Sequence, residues 1–413
     1  MSQYANRHMD RRVFLKTAAS VAGSLALTPS ASARRLIVLA SGSSERIARI
    51  ERMPYDTRQR GRDEQPLERC AVRITTTGGA QGWADLSIGT APNPEATTLI
   101  DETLLGRDPA NPDNLWRELY EKGLALETLA LVDVALWDLL GRMAGRSVHA
   151  LLGTMRQQAP TCLNTGFNLG EPAQYALYAQ QCRSSGVNAI KIQPHITWGG
   201  GTGGMTDAGF PDKDMAMYSA VRDAVGADYT CIADNQSTYT YDNALRVGRL
   251  LDDLDFAWFE SPMPETEAWV ERYIALAREL RTPICGPETE PNAYETRIAW
   301  IAQHACDVSR ISIYQGGLTA CLQLASACEE AGIPLTLHEA GSDSYPYLQL
   351  IGATSESLIP YFEIASLFRE LRTLPGRTTT EPVFDANGAI AIPQSPGLGL
   401  ELDWTYIIKH RAG

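Results

Sequence analysis

The chain has 413 residues, of which 44% are hydrophobic and 21% charged, a composition typical of a globular protein with one large and one smaller domain. The formal net charge of −13 argues against nucleic acid or an anionic membrane as a partner, because both need a basic surface. It does not exclude an anionic substrate, because a bound metal can reverse the local field. The eight cysteines form no C-x-x-C pair, which predicts buried thiols without a metal.

The first 33 residues have the order of parts found in an export signal. Arg11 and Arg12 form a twin-arginine pair, residues 17–27 are an apolar run of mostly small residues, and residues 31–33 read Ala-Ser-Ala, as at a cleavage site. We therefore predict that residues 1–33 are a twin-arginine signal peptide and that the mature protein is periplasmic. No other run approaches the ~18 apolar residues that span a bilayer, so we expect no membrane partner.

Residues 34–150 begin with a strand pattern and continue with a helical one. Residues 71–77 alternate, Gly78 and Gly79 supply a turn, and residues 82–86 return, which predicts a β-hairpin. From Asp113 onward apolar residues recur with helical spacing until Gly145. We predict a small α+β domain.

Residues 151–375 repeat a strand–helix unit. This alternation predicts parallel β/α structure, of which a (β/α)8 barrel is the most economical closed form. Residues 376–413 have a strand and turn pattern instead. The predicted strands are Ala189–Ile192, Tyr229–Ala233, Phe256–Phe259, Pro283–Cys285, Ser309–Ile313, Pro334–Leu337 and Tyr361–Ile364, and the helices between them include Asp214–Val225, Tyr241–Leu251, Thr266–Leu280 and Thr319–Ala331.

Three consecutive predicted strands end in a carboxylate, namely Asp234, Glu260 and Glu288. In a barrel of parallel strands these ends meet at one face, where catalytic groups lie. Converging carboxylates repel one another and are costly to bury unless a cation lies between them. Oxygen ligands with room for water suit Mg²⁺. The spacing therefore predicts a magnesium site formed by these three side chains.

In its motifs the chain resembles the enolase superfamily, in particular its mandelate racemase and acid-sugar dehydratase group. The motifs occur in the family's order over nearly all of the chain that follows the signal: GGAQGWADL, VDVALWDLLGRMAGRSVHALLG, YQGGLT, EEAGIPLTLHEAG and PVFDANGAIAIPQSPGLGLELD. The resemblance implies a modified TIM barrel whose N-terminal cap is completed by residues 376–413. It also implies Mg²⁺ on the three carboxylates, Lys191 beside the substrate carboxylate and His338 as a general acid/base. Glu363 would hydrogen-bond the substrate carboxylate or the developing enolate.

Three positions depart from the family pattern. Gln193 replaces the second lysine of a K-x-K strand, and the usual D-x-N-Q reads Asp234, Asn235, Gln236 with a one-residue offset. The aspartate that orients the histidine is missing from SRISIYQGG, where Arg310 or Ser312 lies instead, and Glu339 is a possible substitute. For substrate contacts we predict Gln193, Asn235, Gln236 and Arg310.

These departures decide between the reactions of the family. A racemase needs a base on each face of the substrate, and Gln193 cannot serve as one. We therefore predict an acid-sugar dehydratase that forms a 2-keto-3-deoxy acid, with His338 as the acid/base and Lys191 as an electrostatic partner. The alternatives are a racemase, epimerase or cycloisomerase of a carboxylate, and a relative that binds metal and carboxylate without catalysis. The expected partner is a small-molecule carboxylate, and the resemblance implies a homo-oligomer.

Overall fold

The computed structural model describes residues 44–60, 66–86, 91–165, 169–194, 211–288, 292–338, 345–364 and 383–411. The predicted signal peptide, residues 1–33, and Glu339 lie outside these ranges. Within them, no helix is both long and apolar enough to cross a membrane.

The cap is built on an antiparallel sheet of three strands in the order β1–β2–β3. The predicted hairpin is confirmed, because Thr75 pairs with Gln81 and Cys70 with Leu86. Its strands are β1 (Ile47–Arg60), β2 (Pro66–Thr76) and β3 (Gln81–Leu86). Its helices are α1 (Pro94–Leu104), α2 (Pro112–Glu121), α3 (Leu126–Met143) and α4 (Val148–Leu152).

Helix α3 lies between the cap and the barrel, and it is buried on nearly every side. On one side it packs against β3 so closely that a Cβ on Gly82 would lie 2.2 Å from the backbone nitrogen of Leu139. On the other side Trp137 donates through Nε1 to Thr319 Oγ1 at 2.9 Å, on a barrel helix. Helix α3 is therefore an interior element that packs against both the cap and the barrel.

Eight short parallel strands form the barrel. Six of them make one sheet in the order β12–β5–β6–β7–β8–β9, and β10 pairs with β11. A bridge between Cys285 and Val308 joins β9 to the β10 side, whereas between β11 and β12 the strand ladder is not continuous. The strands are β5 (Thr161–Asn164), β6 (Ala189–Ile192), β7 (Thr230–Asp234), β8 (Phe259–Glu260), β9 (Ile284–Cys285), β10 (Ser309–Ile311), β11 (Leu335–Leu337) and β12 (Phe362–Ile364).

Helices follow the strands, as the alternation predicted. The main differences from the predicted bounds are that β8 is shorter than Phe256–Phe259 and that a 3₁₀ turn, Glu267–Trp269, opens the helix predicted from Thr266. The helices are α5 (Pro172–Ser184), α6 (Asp212–Val225), α7 (Tyr241–Asp253), α8 (Val270–Glu279), α9 (Glu295–Ala302), α10 (Gly317–Ala331) and α11 (Tyr345–Gly352).

The C-terminal segment returns to the cap, as expected from the resemblance. Strand β13 (Ile390–Ala391) pairs antiparallel with β4 (Gln158–Ala159) below the barrel strands. Helix α12 (Trp404–Lys409) then reaches β1, where Asp56 N donates to His410 O at 3.0 Å and Tyr406 Oη donates to Thr57 O at 3.0 Å. All eight cysteines are free and buried, as predicted for thiols of the core.

Candidate active site

The three predicted carboxylates lie at the same end of neighbouring strands. Asp234 is the last residue of β7 and pairs in register with Glu260, the last residue of β8. Glu288 follows β9 by three residues. Asp234 is 1% exposed, Glu260 is fully buried, and the Glu288 side chain is 18% exposed. Because parallel strands expose their carboxyl ends at one edge, the sequence spacing is sufficient to place these three residues at one end of the barrel.

Lys191 lies among the carboxylates, not above them. Its Nζ is 2.7 Å from Glu260 Oε1, 2.9 Å from Glu363 Oε1 and 3.4 Å from Asp234 Oδ2, and the residue is 1% exposed. Burial and Arg310 lower the pKa of Lys191, but the three carboxylates outweigh them and hold it well above its ordinary value. Lys191 is therefore a permanent ammonium ion in this arrangement.

Arg310 points into the barrel from β10 and is 1% exposed. Its Nε lies 3.2 Å from Glu260 Oε1 and 3.1 Å from Glu288 Oε2, although the Nε–H makes no hydrogen bond within the described residues. At the other end of the guanidinium, Nη1 donates to Glu363 Oε2 at 3.0 Å and to Thr336 Oγ1 at 3.5 Å. The predicted substrate contact is thus an ion-paired residue in this structure.

His338 follows β11 and is the most open member of the cluster, with a side chain that is 37% exposed. Its Nε2 lies 2.9 Å from Glu288 Oε1, and its Nδ1 has no partner among the described residues. Burial lowers the pKa of His338, but the Glu288 carboxylate outweighs it, so the pKa lies above its ordinary value. Glu288 thereby provides an orienting partner for the imidazole in place of the missing aspartate.

The remaining predicted substrate contacts occupy different surroundings. Gln193 donates through Nε2 to Asp234 Oδ2 at 2.6 Å, and its Oε1 is buried without a partner among the described residues. Gln236 donates through its backbone N–H to Asp234 Oδ1 at 3.1 Å, where a φ of 45° turns the chain. The Asn235 side chain is directed elsewhere, because its Oδ1 accepts from Tyr218 Oη at 2.7 Å.

Four further residues, absent from the sequence prediction, hold the site residues in place. Asn164 on β5 donates through Nδ2 to Glu363 Oε1 at 3.0 Å. The backbone of Glu288 is fixed at both ends, since Glu265 Oε2 accepts from its N–H at 2.8 Å, while Arg297 Nη2 and Gln315 Nε2 donate to its carbonyl at 2.7 and 2.9 Å.

The charges of the cluster do not balance. Four carboxylates, on Asp234, Glu260, Glu288 and Glu363, surround the two permanent cations Lys191 and Arg310. Burial and the Glu260 carboxylate raise the pKa of Asp234 to about 7. Burial also raises the pKa of Glu363, but Arg310 and Lys191 outweigh it and lower that pKa to about 2. The raised pKa values of His338 and Asp234 both reduce the excess of negative charge, but the carboxylates still outnumber the two cations Lys191 and Arg310.

Two family models match this chain. Residues 46–153 match the mandelate racemase / muconate lactonizing enzyme N-terminal domain, and residues 174–406 match the enolase C-terminal domain-like family. Together they span most of the chain, including the cap and the barrel. The chain belongs to the enolase superfamily. Within it, the chain falls in the mandelate racemase and muconate lactonizing enzyme group.

Relatives within the enolase superfamily act on acid sugars. An arabinonate dehydratase from Saccharolobus solfataricus is 26% identical, covering 82% of this chain and 90% of its own. A D-galactarolactone cycloisomerase from Agrobacterium fabrum is 25% identical with the same coverage. A D-glucarate dehydratase from Agrobacterium tumefaciens, crystallised with magnesium, is 26% identical with a TM-score of 0.76, covering 89% of this chain and 99% of its own.

The donor set of the cluster suits the divalent cation of the enolase superfamily. The donors are oxygen atoms of carboxylates, which outnumber the cations around them, and Gln193 Oε1 is a buried acceptor without a partner among the described residues. Hard oxygen donors of this kind are those that Mg²⁺ prefers. As the side chains are placed, however, no three His, Cys, Asp or Glu groups of the described residues surround one point, because Lys191 and Arg310 lie between the carboxylates.

Proposed function

We propose that the protein is a Mg²⁺-dependent enzyme that removes the proton α to a carboxylate, and that it dehydrates an acid sugar to a 2-keto-3-deoxy acid. One observation carries the choice of reaction. Lys191 is buried and ion-paired with three carboxylates, whereas His338 is partly exposed and its Nδ1 is buried without a partner among the described residues. The site thus offers one base, and one base is sufficient for elimination.

Asp234, Glu260 and Glu288 would hold Mg²⁺, which supplies positive charge that stabilises the enolate form of the substrate carboxylate. Lys191 would add a fixed positive charge beside the same carboxylates, because its Nζ lies next to Asp234 and Glu260. Because it is buried and ion-paired with three carboxylates, this charge would need little reorganisation during the reaction. Glu363 contacts both cations and so fixes their spacing. Its Oε1 lies 2.9 Å from Lys191 Nζ, and its Oε2 lies 3.0 Å from Arg310 Nη1.

The proton steps fall to His338. The neutral imidazole takes the α-proton, the C–H electrons form a carbon–carbon double bond, and the β-hydroxyl leaves. His338 returns its proton to that hydroxyl, which departs as water, and the resulting enol rearranges to the 2-keto acid. Glu288, 2.9 Å from Nε2, stabilises the imidazolium between the two transfers and fixes the tautomer with the lone pair on Nδ1.

The relatives support the substrate class. The arabinonate and D-glucarate dehydratases perform the elimination proposed here on acid sugars. The second candidate is a cycloisomerase, favoured by the D-galactarolactone cycloisomerase at nearly the same identity. In this candidate Lys191 and His338 would act on opposite faces of the substrate. A racemase or epimerase needs a second base, for which only the ion-paired Lys191 is available among the described site residues.

The test is incubation of the purified protein with a panel of acid sugars and acid-sugar lactones in D₂O with Mg²⁺. Dehydration yields a 2-keto-3-deoxy acid, detected as a semicarbazone, whereas isomerisation consumes a lactone without forming a keto acid. We expect dehydration by the wild type and a loss of about 10²–10⁴-fold in His338→Asn. His304→Asn is the matched control, because His304 is exposed and has a φ of 57° that asparagine tolerates. Keto-acid formation that survives His338→Asn would contradict the mechanism.

We also propose export by the twin-arginine pathway and assembly into a homo-oligomer. The first proposal rests on the order of the basic, apolar and Ala-Ser-Ala parts in residues 1–33. The second rests on the resemblance alone, and light scattering of the purified protein tests it.

A further inference from the structure

Arg310 is the feature of the cluster that the proposed reaction does not use. A buried guanidinium is costly unless it is paired, and this one faces three carboxylates, Glu260, Glu288 and Glu363. Its own carbonyl accepts from Arg297 Nε at 2.7 Å, which fixes the strand beneath it. The chain therefore keeps a permanent positive charge at the centre of its acidic cluster.

The two ends of the guanidinium are bound differently. Nη1 makes a hydrogen bond of 3.0 Å to Glu363, whereas Nε lies near Glu260 and Glu288 without a hydrogen bond to either. The contact at the Nε end is thus electrostatic only. It is also the end that faces two of the three carboxylates proposed to hold the metal.

The oxygen atoms that a metal needs are those that Arg310 faces. Glu260 Oε2 is turned to Trp258 Nε1 at 3.3 Å, so Oε1 is its available oxygen, and Oε1 is the atom near Arg310 Nε and Lys191 Nζ. Glu288 Oε1 is paired with His338, which leaves Oε2, again beside Arg310. Gln193, whose Nε2 donates to Asp234, also has a buried Oε1 without a partner among the described residues, which is a second, independent sign of a missing cation.

We propose that Arg310 competes with the metal for Glu260 and Glu288 and thereby sets the metal affinity of the site. In the metal-free protein the guanidinium partly neutralises the carboxylates and keeps the cluster folded. When the metal binds, the Nε end withdraws from Glu260 and Glu288, while Nη1 keeps its bond to Glu363. The inference rests on the proposed function, because it concerns the metal of that same site.

Isothermal titration with Mg²⁺ and with Mn²⁺ tests this on the metal-free full chain. Arg310→Gln removes the charge but keeps a donor for Glu363, and we expect it to bind both ions at least about tenfold more tightly than the wild type. Arg310→Lys keeps the charge and should bind within about threefold of the wild type. Arg69→Met is the matched control, because it removes a buried, carboxylate-paired arginine from the cap and should leave the affinity unchanged.

The melting temperature gives a second measurement. Metal-free Arg310→Gln should melt below the wild type, and Mg²⁺ should raise its melting temperature by more than it raises that of the wild type. If Arg310→Gln does not fold without metal, refolding it in Mg²⁺ should rescue it, and a failure of this rescue overturns the proposal. Metal binding by a folded Arg310→Gln that is equal to or weaker than that of the wild type also overturns the proposed competition. In that case, Mg²⁺-dependent turnover by the wild type would leave the proposed function standing. Absence of binding by every variant and the wild type would refute both.

Discussion

Replacing Asp133 by asparagine should remove much of the pH dependence of stability near neutral pH. Asp133 lies on α3, fully buried where the cap meets the barrel, and accepts from Thr319 N at 2.9 Å and Thr319 Oγ1 at 2.6 Å. Burial raises its pKa from an ordinary 3.8 to about 8. The folded protein therefore keeps a proton that the unfolded chain releases above pH 4, so stability decreases as the pH rises from about 4 toward 8.

The size of the effect follows from the pKa values. Between pH 5 and pH 7 the unfolded side chain is ionised and the folded one is mostly protonated, so each pH unit costs about 1.4 kcal/mol. The loss over this interval is roughly 2–3 kcal/mol for Asp133 alone. Asparagine cannot ionise, and its amide can still accept from Thr319 N and donate to Thr319 Oγ1. Between pH 5 and pH 7, Asp133→Asn should therefore lose roughly 2–3 kcal/mol less stability than the wild type.

Urea unfolding at pH 5 and at pH 7 measures the difference, with the midpoint shift compared between the two proteins. Thr319→Val is the control, because it removes the hydroxyl but keeps the buried carboxylate, and it should retain the pH dependence of the wild type. If wild type and Asp133→Asn lost equal stability between the two pH values, the carboxyl group would not be the source of the effect.

Two further predictions concern the site and the signal. Lys191→Met leaves Asp234, Glu260 and Glu363 without their ammonium partner, so the metal-free protein should lose about 3–5 kcal/mol of stability. The loss should be visible as a lower melting temperature. An unchanged melting temperature would mean that Lys191 is not a structural cation. Replacing both Arg11 and Arg12 by lysine should keep the full-length precursor in the cytoplasm of a bacterial host, as judged by fractionation, and periplasmic protein in that variant would rule out the twin-arginine route.

The sequence was sufficient to predict the strands that carry the acidic residues. Apolar runs locate β6 at both of its ends and β12 to within one residue, because a strand buried on both faces must be apolar throughout. It was not sufficient for β5, whose residues Thr161–Asn164 include one large apolar side chain. For that reason Asn164, the partner of Glu363, was missed.

The contacts between site residues could not be predicted from the sequence, for a different reason. The sequence left open whether Arg310 or Ser312 reaches the cluster, and β10 pairs Arg310 with Thr336 of β11. Arg310 and Ser312 are two residues apart and would lie on the same face of a strand, so the choice depends on where β10 ends, and the sequence does not show that it ends at Ile311. The pairing of Glu288 with His338 crosses the intervening strand β10, so only the three-dimensional arrangement of the strands reveals it.

The return of α12 to β1 also determines when the protein can finish folding. The outer edge of the cap gains its last contacts, from Tyr406 and His410 to residues 56 and 57, only after the C-terminal residues have left the ribosome. The cap sheet therefore gains its last contacts late in synthesis, and the proposed twin-arginine export, a route for folded proteins, would follow that step.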